Sequence, residues 1–389
     1  MQLVIDNKPR TLPEDKILKT IHINSEKTWR GGDQQTLYLV RELKKLGCDS
    51  HLIAPPGSLL LERAEGEKIK CFSVRMRGEA DVIAIFNIYR IIKKNNYHLV
   101  HLHTSHAHTL GFFATRLIKS KPILVVTRRV QFSIYNHSFF GLNRYKYQKW
   151  TNHIVSVSNA VKQQLIEDGV SKDKISVIHS SISPNDFTTT LEDSIDNLLP
   201  LNKNGHIVGM IGNFDRVKGQ KYFIQAIPGI LKEFPSTAFF IVGEGKYKKE
   251  NELLVSNLNL KERVVFTGFI KNVNTLLEHF NVLVVPSLEE GINTTILAAH
   301  LLKKPVIATK VGGNTEIIRD GFNGILIPPK DKSAIEKAVV KLLRNKDMCR
   351  QFAENGYRKV IENFSADRMA KEYFKLYKKL SGFNDKIYK

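Results

Sequence analysis

The sequence predicts an α/β protein built from two doubly wound domains. Three observations carry this. The chain has 389 residues, too many for one ordinary core and suited to two of roughly 150–200 residues each. Short apolar, β-rich runs alternate with stretches of helical period from end to end, the pattern of parallel βαβ units. A polar segment without period, 183–204, containing Pro184 and Pro200 with Gly205 at its edge, interrupts the alternation, which then starts again.

In the first half, strands are expected at 17–24, 50–54, 69–74, 99–102, 123–127 and 153–157, with amphipathic helices such as 34–46 and 82–94 between them. In the second half, strands at 206–211, 237–242, 264–267, 282–285, 306–308 and 324–327 alternate with helices such as 221–233, 294–302 and 332–343. A final basic amphipathic helix, 366–380, carries Met369, Tyr373, Leu376 and Leu380 on its apolar side. The expected organisation is an arm (1–16), a first Rossmann-like domain (17–182), a linker (183–204), a second Rossmann-like domain (205–364) and a closing helical segment (365–389). Ligands of doubly wound sheets sit at the carboxyl ends of the strands, so the domains are expected to face each other across a cleft that holds the site.

Composition narrows the class. Apolar content of 42% and charged content of 25% fit a soluble globular chain. No apolar run reaches the ~18–20 residues that cross a bilayer. The arm, with Asp6, Pro9, Pro13, Glu14 and Asp15, lacks the apolar centre of a signal peptide. Cys48, Cys71 and Cys349 form neither a disulfide framework nor a zinc pattern, which points to a reducing cytoplasm. Against 38 acidic residues stand 59 basic ones, a formal charge of +21. Between Asp81 and Glu167 there are twelve Lys and Arg and no acidic residue. Such a surface suits polyanions: nucleic acid, anionic lipid headgroups or a phosphorylated acceptor. A generally basic, solvated surface is the other reading.

The chemistry concentrates in the second half. Its first strand runs into Gly209-Met210-Ile211-Gly212-Asn213-Phe214-Asp215-Arg216-Val217-Lys218-Gly219, and a helix follows at once. Cations two residues apart at a helix N-terminus make a cradle for an anionic group; a tight turn with surface cations is the alternative. A second turn, Pro286-Ser287-Leu288-Glu289-Glu290-Gly291-Ile292-Asn293-Thr294-Thr295, sets backbone amides, hydroxyls and a carboxylate between a buried strand and a helix. Amides and the helix dipole suit phosphate, and the carboxylate suits sugar hydroxyls, although Glu290 also reads as a helix cap. A third turn, Val242-Gly243-Glu244-Gly245, is expected to line the same cleft.

In combination and in order, these segments resemble the family 4 glycosyltransferases of GT-B fold, of bacterial cell-envelope type, over nearly the whole chain. The resemblance extends through Val265-Phe266-Thr267-Gly268, Lys304-Pro305-Val306-Ile307-Ala308-Thr309, Gly312-Gly313 and Glu316-Ile317, and in the first half through Gly31-Gly32, His101-Leu102-His103 and Val157-Ser158-Asn159-Ala160-Val161. It implies transfer of a sugar from a nucleotide-diphosphate-sugar with retention of configuration and without a metal or other cofactor. Positions matching Arg216 and Lys218 hold the donor diphosphate, and the Glu290 position contacts the donor sugar. Gly31 and Gly32 approach the phosphate, and the backbone near Gly268 and Phe269 holds the base. Gly212, Asn213, Gly243, Gly291, Ile292, Asn293 and Thr294 complete the expected donor site, and the last helix crosses back to the first domain. The chemistry agrees: the departing diphosphate gains negative charge, preorganised cations stabilise it, and the sequence has no Asp-x-Asp pair to hold a metal instead.

Three departures mark this chain. The family's second Glu, eight residues after the first, is Ala298, so its ribose contact is lost or supplied elsewhere. Asn293 stands where Gly is usual, which is expected to reshape the sugar pocket. Where many relatives have a His after the fifth strand, this chain has Thr127-Arg128-Arg129-Val130. Arg129 stays charged at all accessible pH and cannot act as a base. It can neutralise phosphate on the donor or on a charged acceptor; a structural salt bridge is the other reading. His103, Arg128 and Arg129 are the expected acceptor-side residues. The run His101, His103, His106, His108 has metal-ligand chemistry, but its members are expected to point different ways and no Cys or carboxylate joins them, so no metal site is expected.

An oxidoreductase would need a full Gly-x-Gly-x-x-Gly with an acid about twenty residues later, which is missing. A nucleic-acid module would need aromatic-studded basic motifs, so no nucleic-acid partner is expected. A non-transferase GT-B enzyme, such as an epimerase or phosphorylase, or a scaffold that has lost activity remain alternatives, the latter because of Ala298. The acid-free stretch and the segment 139–150, with Tyr145, Lys146, Tyr147, Lys149 and Trp150, suggest docking on the inner face of an anionic cytoplasmic membrane and a lipid-linked glycan or lipopolysaccharide-type acceptor.

Overall fold

The computed structural model describes residues 17–135, 142–187, 205–270 and 272–383. The expected arm (1–16), most of the expected linker (188–204) and the beginning of the segment 139–150 lie outside the described residues. Contacts divide the chain into two units: Met1–Ser181 with Ala366–Lys389, and Ile182–Ser365.

The first unit carries a parallel sheet of strands β1 (Lys19–Ile23), β2 (Asp49–Ala54), β3 (Cys71–Ser73), β4 (Leu99–Leu102), β5 (Ile123–Arg128), β6 (His153–Ser156) and β7 (Ile175–Val177), in the order β3-β2-β1-β4-β5-β6-β7. Helices α1 (Gly31–Lys45), α2 (Leu59–Gly66), α3 (Val82–Asn95), α4 (Ser105–Arg116), α5 (Leu142–Lys149) and α6 (Asn159–Glu167) connect them. Several helices start on a side-chain cap directly beyond a strand: Thr104 accepts from Ala107 N and Ser158 from Val161 N. The order reverses between β1 and β4, so the loops after these strands diverge there and leave room for a ligand.

The second unit repeats the plan with β8 (Ile207–Ile211), β9 (Ala238–Val242), β10 (Val264–Gly268), β11 (Val282–Val285), β12 (Val306–Thr309) and β13 (Ile325–Ile327), ordered β10-β9-β8-β11-β12-β13. Its helices are α7 (Gln220–Glu233), α8 (Lys248–Asn257), α9 (Val273–Leu277), α10 (Thr294–Leu301), α11 (Asn314–Ile317), α12 (Lys332–Arg344) and α13 (Lys346–Asn363). Here the reversal lies between β8 and β11, whose following loops are the two cation- and carboxylate-bearing turns.

The last helix, α14 (Ala366–Ser381), packs on α1. Its Met369, Ala370, Tyr373 and Tyr377 share one core with Leu39 and Leu43 of α1 and Leu99, Val125 and Val155 of the sheet. Each such buried side chain contributes about 1.5–3 kcal/mol, so α14 supplies a large fraction of the first unit's stability. Its tyrosines add polar anchors. Tyr377 Oη lies 2.6 Å from His101 Nδ1 and Tyr373 Oη 3.0 Å from Thr127 Oγ1.

Ending the chain before Ala366 should therefore unfold the first unit while Ile182–Ser365 keeps its structure. Proteolysis followed by mass mapping should recover a resistant second-unit fragment from the truncated protein and two resistant units from the full chain.

Candidate active site

In the second unit the two turns are locked together. Leu288 N donates to Val217 O at 2.7 Å, and Gly219, with φ of 71°, packs on the Pro286 carbonyl. A β-carbon on Gly219 would stand 2.1 Å from that oxygen, so only glycine fits. The turn Arg216–Lys218 is a single 3₁₀ turn capped by Asp215. Lys218 lays its aliphatic stem over Gly212 and donates from Nζ to Glu290 Oε1 at 2.7 Å.

Glu290 is 8% exposed, and its Oε1 accepts two further bonds, from Ser287 Oγ at 2.7 Å and Asn293 Nδ2 at 2.8 Å. Among the described residues, no hydrogen bond reaches its Oε2. Its backbone carbonyl accepts from Gly313 N at 3.1 Å, which seats the Gly312-Gly313 turn against Gly291. Arg216 is exposed, with its guanidinium 4.9 Å from the Tyr247 ring centroid. The ends of β8, β9 and β10 meet through Gly212 N to Val242 O and Gly243 N to Gly268 O, both 2.9 Å. Phe269 projects beside them at 57% exposure. Arg216, Lys218, Glu290, Gly212, Asn213, Gly243, Gly268, Phe269, Gly291, Ile292, Asn293 and Thr294 thus occupy one carboxyl edge of one sheet.

Two expectations change here. Glu290 does not cap α10. Asn293 does, its Oδ1 accepting from Thr295 N and Ile296 N at 2.9 and 3.2 Å. An Asn offers both an acceptor for the helix amides and a donor for the carboxylate, so this departure from Gly orients Glu290 as well as starting the helix. Ala298 is buried on α10 and brings no polar group to the site.

In the first unit, Gly31 and Gly32 open α1 and Arg129 follows β5, with Arg129 Cδ against the Cα of Gly32. Arg129 Nη2 donates to His103 Nδ1 at 3.1 Å. Because a guanidinium only donates, neutral His103 carries its proton on Nε2, which donates a hydrogen bond to His22 Nδ1, 3.0 Å away. His22 then donates through Nε2 to Thr20 Oγ1 at 3.3 Å, and Thr20 to Ser50 Oγ at 2.9 Å. His101 joins alongside, bound to Thr127 and Tyr377.

The histidine grouping therefore differs from the expected one. His101 and His103 are two apart on one strand edge and share a face, with ring centroids 4.0 Å apart, and His22, in register with His101 on β1, completes the cluster. His106 is exposed, and His108 is buried against Tyr147. The three clustered rings offer nitrogens close enough for a cation. Yet all six nitrogens already have a protein partner, and a guanidinium adjoins them, so the arrangement fits neutral imidazoles better than a metal. His103 is buried and reaches the loop edge only through Arg129.

Arg128 turns away to packing, donating to Phe132 O at 2.7 Å and Tyr147 Oη at 3.2 Å. In 139–150, Lys146 is inward, bound to Glu79 at 3.0 Å, Tyr147 is buried, and Trp150 stacks on Phe112 at 4.5 Å. Arg144, Tyr145 and Lys149 face outward.

Burial holds the imidazoles neutral: His22 is pushed down to about 3, and His101 and His103 fall well below the usual histidine value. A folded-state value below the unfolded one means stability is full above about 6.5 and is lost as pH falls towards the folded values. Urea unfolding between pH 7.5 and 4 should show stability declining below about 6.5, and His22→Asn should flatten that decline.

Two family descriptions match the chain: "Glycosyltransferase Family 4" over residues 29–186 and "Glycosyl transferases group 1" over residues 192–359. A relative from Escherichia coli, UDP-Gal:alpha-D-GlcNAc-diphosphoundecaprenol alpha-1,3-galactosyltransferase, is 27% identical over 300 residues, 71% of this chain and 76% of the relative. The crystal structure of HepE from Anabaena in complex with UDP and glucose superposes with a TM-score of 0.80 at 18% identity, covering 92% of this chain and 99% of that one. The apo form of the lipopolysaccharide outer core galactosyltransferase WaaB gives 0.67 at 14% identity over 93% and 100%. With two parallel Rossmann-like sheets and α14 on α1, the chain belongs to the group 1, family 4 glycosyltransferases of GT-B fold, which transfer sugars from nucleotide-sugars.

Proposed function

We propose that this chain transfers a hexose, with retention and without a metal, from a UDP-sugar to a lipid-linked glycan acceptor presented at a membrane face. The observation that carries the reading is the convergence on Glu290 Oε1 of Lys218, Ser287 and Asn293, beside the exposed Arg216, at the sheet edge where such folds bind ligands. Arg216 and Lys218 neutralise the departing diphosphate. Glu290, with Oε2 uncommitted, accepts hydroxyls of the donor sugar. Phe269 and the backbone at Gly268 take the base. UDP in the HepE complex and the UDP-galactose and diphospholipid acceptor in the name of the Escherichia coli relative support the donor and acceptor classes.

The surface of the first unit supports a membrane-borne acceptor. Val82, Ile83 and Phe86 on α3 are 73%, 71% and 52% exposed. Phe113 and Leu117, at and just beyond the end of the neighbouring α4, are exposed too, with Arg90, Lys93, Lys94 and Arg116 on the same two helices. Apolar side chains flanked by cations fit an anionic headgroup layer. These helices are an exposed apolar and basic surface beside that of the segment 139–150. No described helix is long and apolar enough to cross a membrane.

Lys218→Ala and Arg216→Ala should each lower kcat for UDP-sugar turnover by about 100-fold or more, the scale for removing one preorganised partner of developing charge. Hydrolysis of UDP-, GDP-, ADP- and TDP-sugars without acceptor checks this. A chain that binds none of the nucleoside diphosphates by calorimetry is not a transferase. In vesicle flotation, binding should rise with phosphatidylglycerol content and fall in the double variant Ile83→Glu, Phe86→Glu; insensitivity to both would remove the membrane from the reading.

A further inference from the structure

Arg129 is a half-buried cation that feels the charge of Asp33 but forms no ion pair among the described residues. Two other cations of the first unit are paired with acids: Lys146 with Glu79 at 3.0 Å, and Arg41 with Glu42 and Glu67 at 3.1 and 3.3 Å. Among the described residues, no carboxylate forms an ion pair with Arg129. The acid whose charge acts on it, Asp33, has both oxygens committed to other hydrogen bonds, Oδ1 to Asn24 Nδ2 at 2.7 Å and Oδ2 to Arg30 N at 2.8 Å. Arg129 Nε is buried and makes no hydrogen bond, and the bond from Nη2 ends on a neutral imidazole. A charge drawn out of water without an ion-pair partner is costly.

We propose that Arg129 is an anion subsite of the first unit, its guanidinium completed by a phosphoryl group of a bound diphosphate, with His103 and His22 as positioning residues that aim it. Three features converge on this. Gly32 presents no side chain, so the stem of Arg129 lies flat across the first turn of α1. The chain His103–His22–Thr20–Ser50 fixes which imidazole nitrogen faces the guanidinium, since only an unprotonated Nδ1 can accept from Nη2. The same chain anchors into β1, β2 and β4, the rigid centre of the sheet. Burial already pulls Arg129 below its ordinary value, a strain that a phosphate dianion relieves.

The phosphate comes either from the nucleoside diphosphate or from a diphosphate-linked acceptor, and only this choice of source rests on the transferase reading. The test uses the full chain with inorganic pyrophosphate, UDP and a synthetic GlcNAc-diphospho-lipid as probes. The variants are Arg129→Gln, which keeps a donor for His103 but removes the charge, Arg129→Lys and His103→Ala, with Lys218→Ala as the control for the second unit. The expected result is that Arg129→Gln melts no lower than the parent without ligand and weakens pyrophosphate at least tenfold, with Arg129→Lys intermediate and His103→Ala close to Arg129→Gln. A matching loss for UDP assigns the donor as source; a raised acceptor KM with unchanged UDP affinity assigns the acceptor. The proposal is overturned if Arg129→Gln leaves all three probes within twofold, or if it lowers the melting temperature while the folded fraction binds normally. Loss of pyrophosphate in Arg129→Gln with no sugar transfer to any acceptor would keep the subsite and reject the transferase reading; loss only in Lys218→Ala would do the reverse.

Discussion

The backbone of Gly219 sits so tightly against the Pro286 carbonyl that no side chain can intervene, and the second unit's candidate chemistry is built on that contact. It brings the turn after β8 onto the turn after β11 across the point where the sheet order reverses. Lys218 thereby reaches Glu290, and Leu288 bonds to Val217. A wider gap between the two turns would leave a lysine and a carboxylate in water, where a pair contributes about 1 kcal/mol or less. Held together, they form a stiff polar surface whose partners are already oriented, the condition under which fixed dipoles and charges stabilise developing charge most effectively.

The two units handle charge in opposite ways. Around Glu290 one carboxylate oxygen takes three donors, so the acid is satisfied at rest and keeps its second oxygen for a ligand. Around Arg129 a cation has its hydrogen bond to an uncharged imidazole, and the acid that acts on it, Asp33, bonds elsewhere. The first arrangement orders a site and the second leaves a positive field unspent. That contrast follows from the neighbours: short polar side chains after β11, and a stack of buried imidazoles on β1 and β4 whose protonation burial forbids.

Much of this was legible in the sequence because it is local. Strands such as Val282–Val285 and Val306–Thr309 are unbroken apolar runs bounded by turn residues, and Arg216, Lys218 and Glu290 lie in turns directly after such runs. β7 was missed because three residues carry no period. His22 was missed because its meaning comes from register: it lies opposite His101 only once β1 pairs with β4, and nothing in the run Lys19–Ile23 announces that neighbour. Lys146 read as surface because its acid, Glu79, is far away in sequence, on a loop that folding brings beneath it. Asn293 read as an obstruction because a substituted glycine suggests bulk, whereas its amide bridges a helix start and a carboxylate.

The way the chain threads its two units has a consequence for its birth on the ribosome. Ile182 and Ser365 pair as a single β-bridge, and Ile182 N bonds to Phe364 O at 2.8 Å, so the second unit begins and ends at one point. The sheet of the first unit is made first but lacks α14, and with it Met369, Tyr373 and Tyr377 of its core, until Ala366–Ser381 has been made. Domains emerging in order usually fold in order. Here the order inverts: Ile182–Ser365 holds all its own strands and helices before the earlier-made sheet has its covering. For that interval the apolar face awaiting α14 is uncovered, and completion of the first unit's core depends on translation passing beyond the second unit.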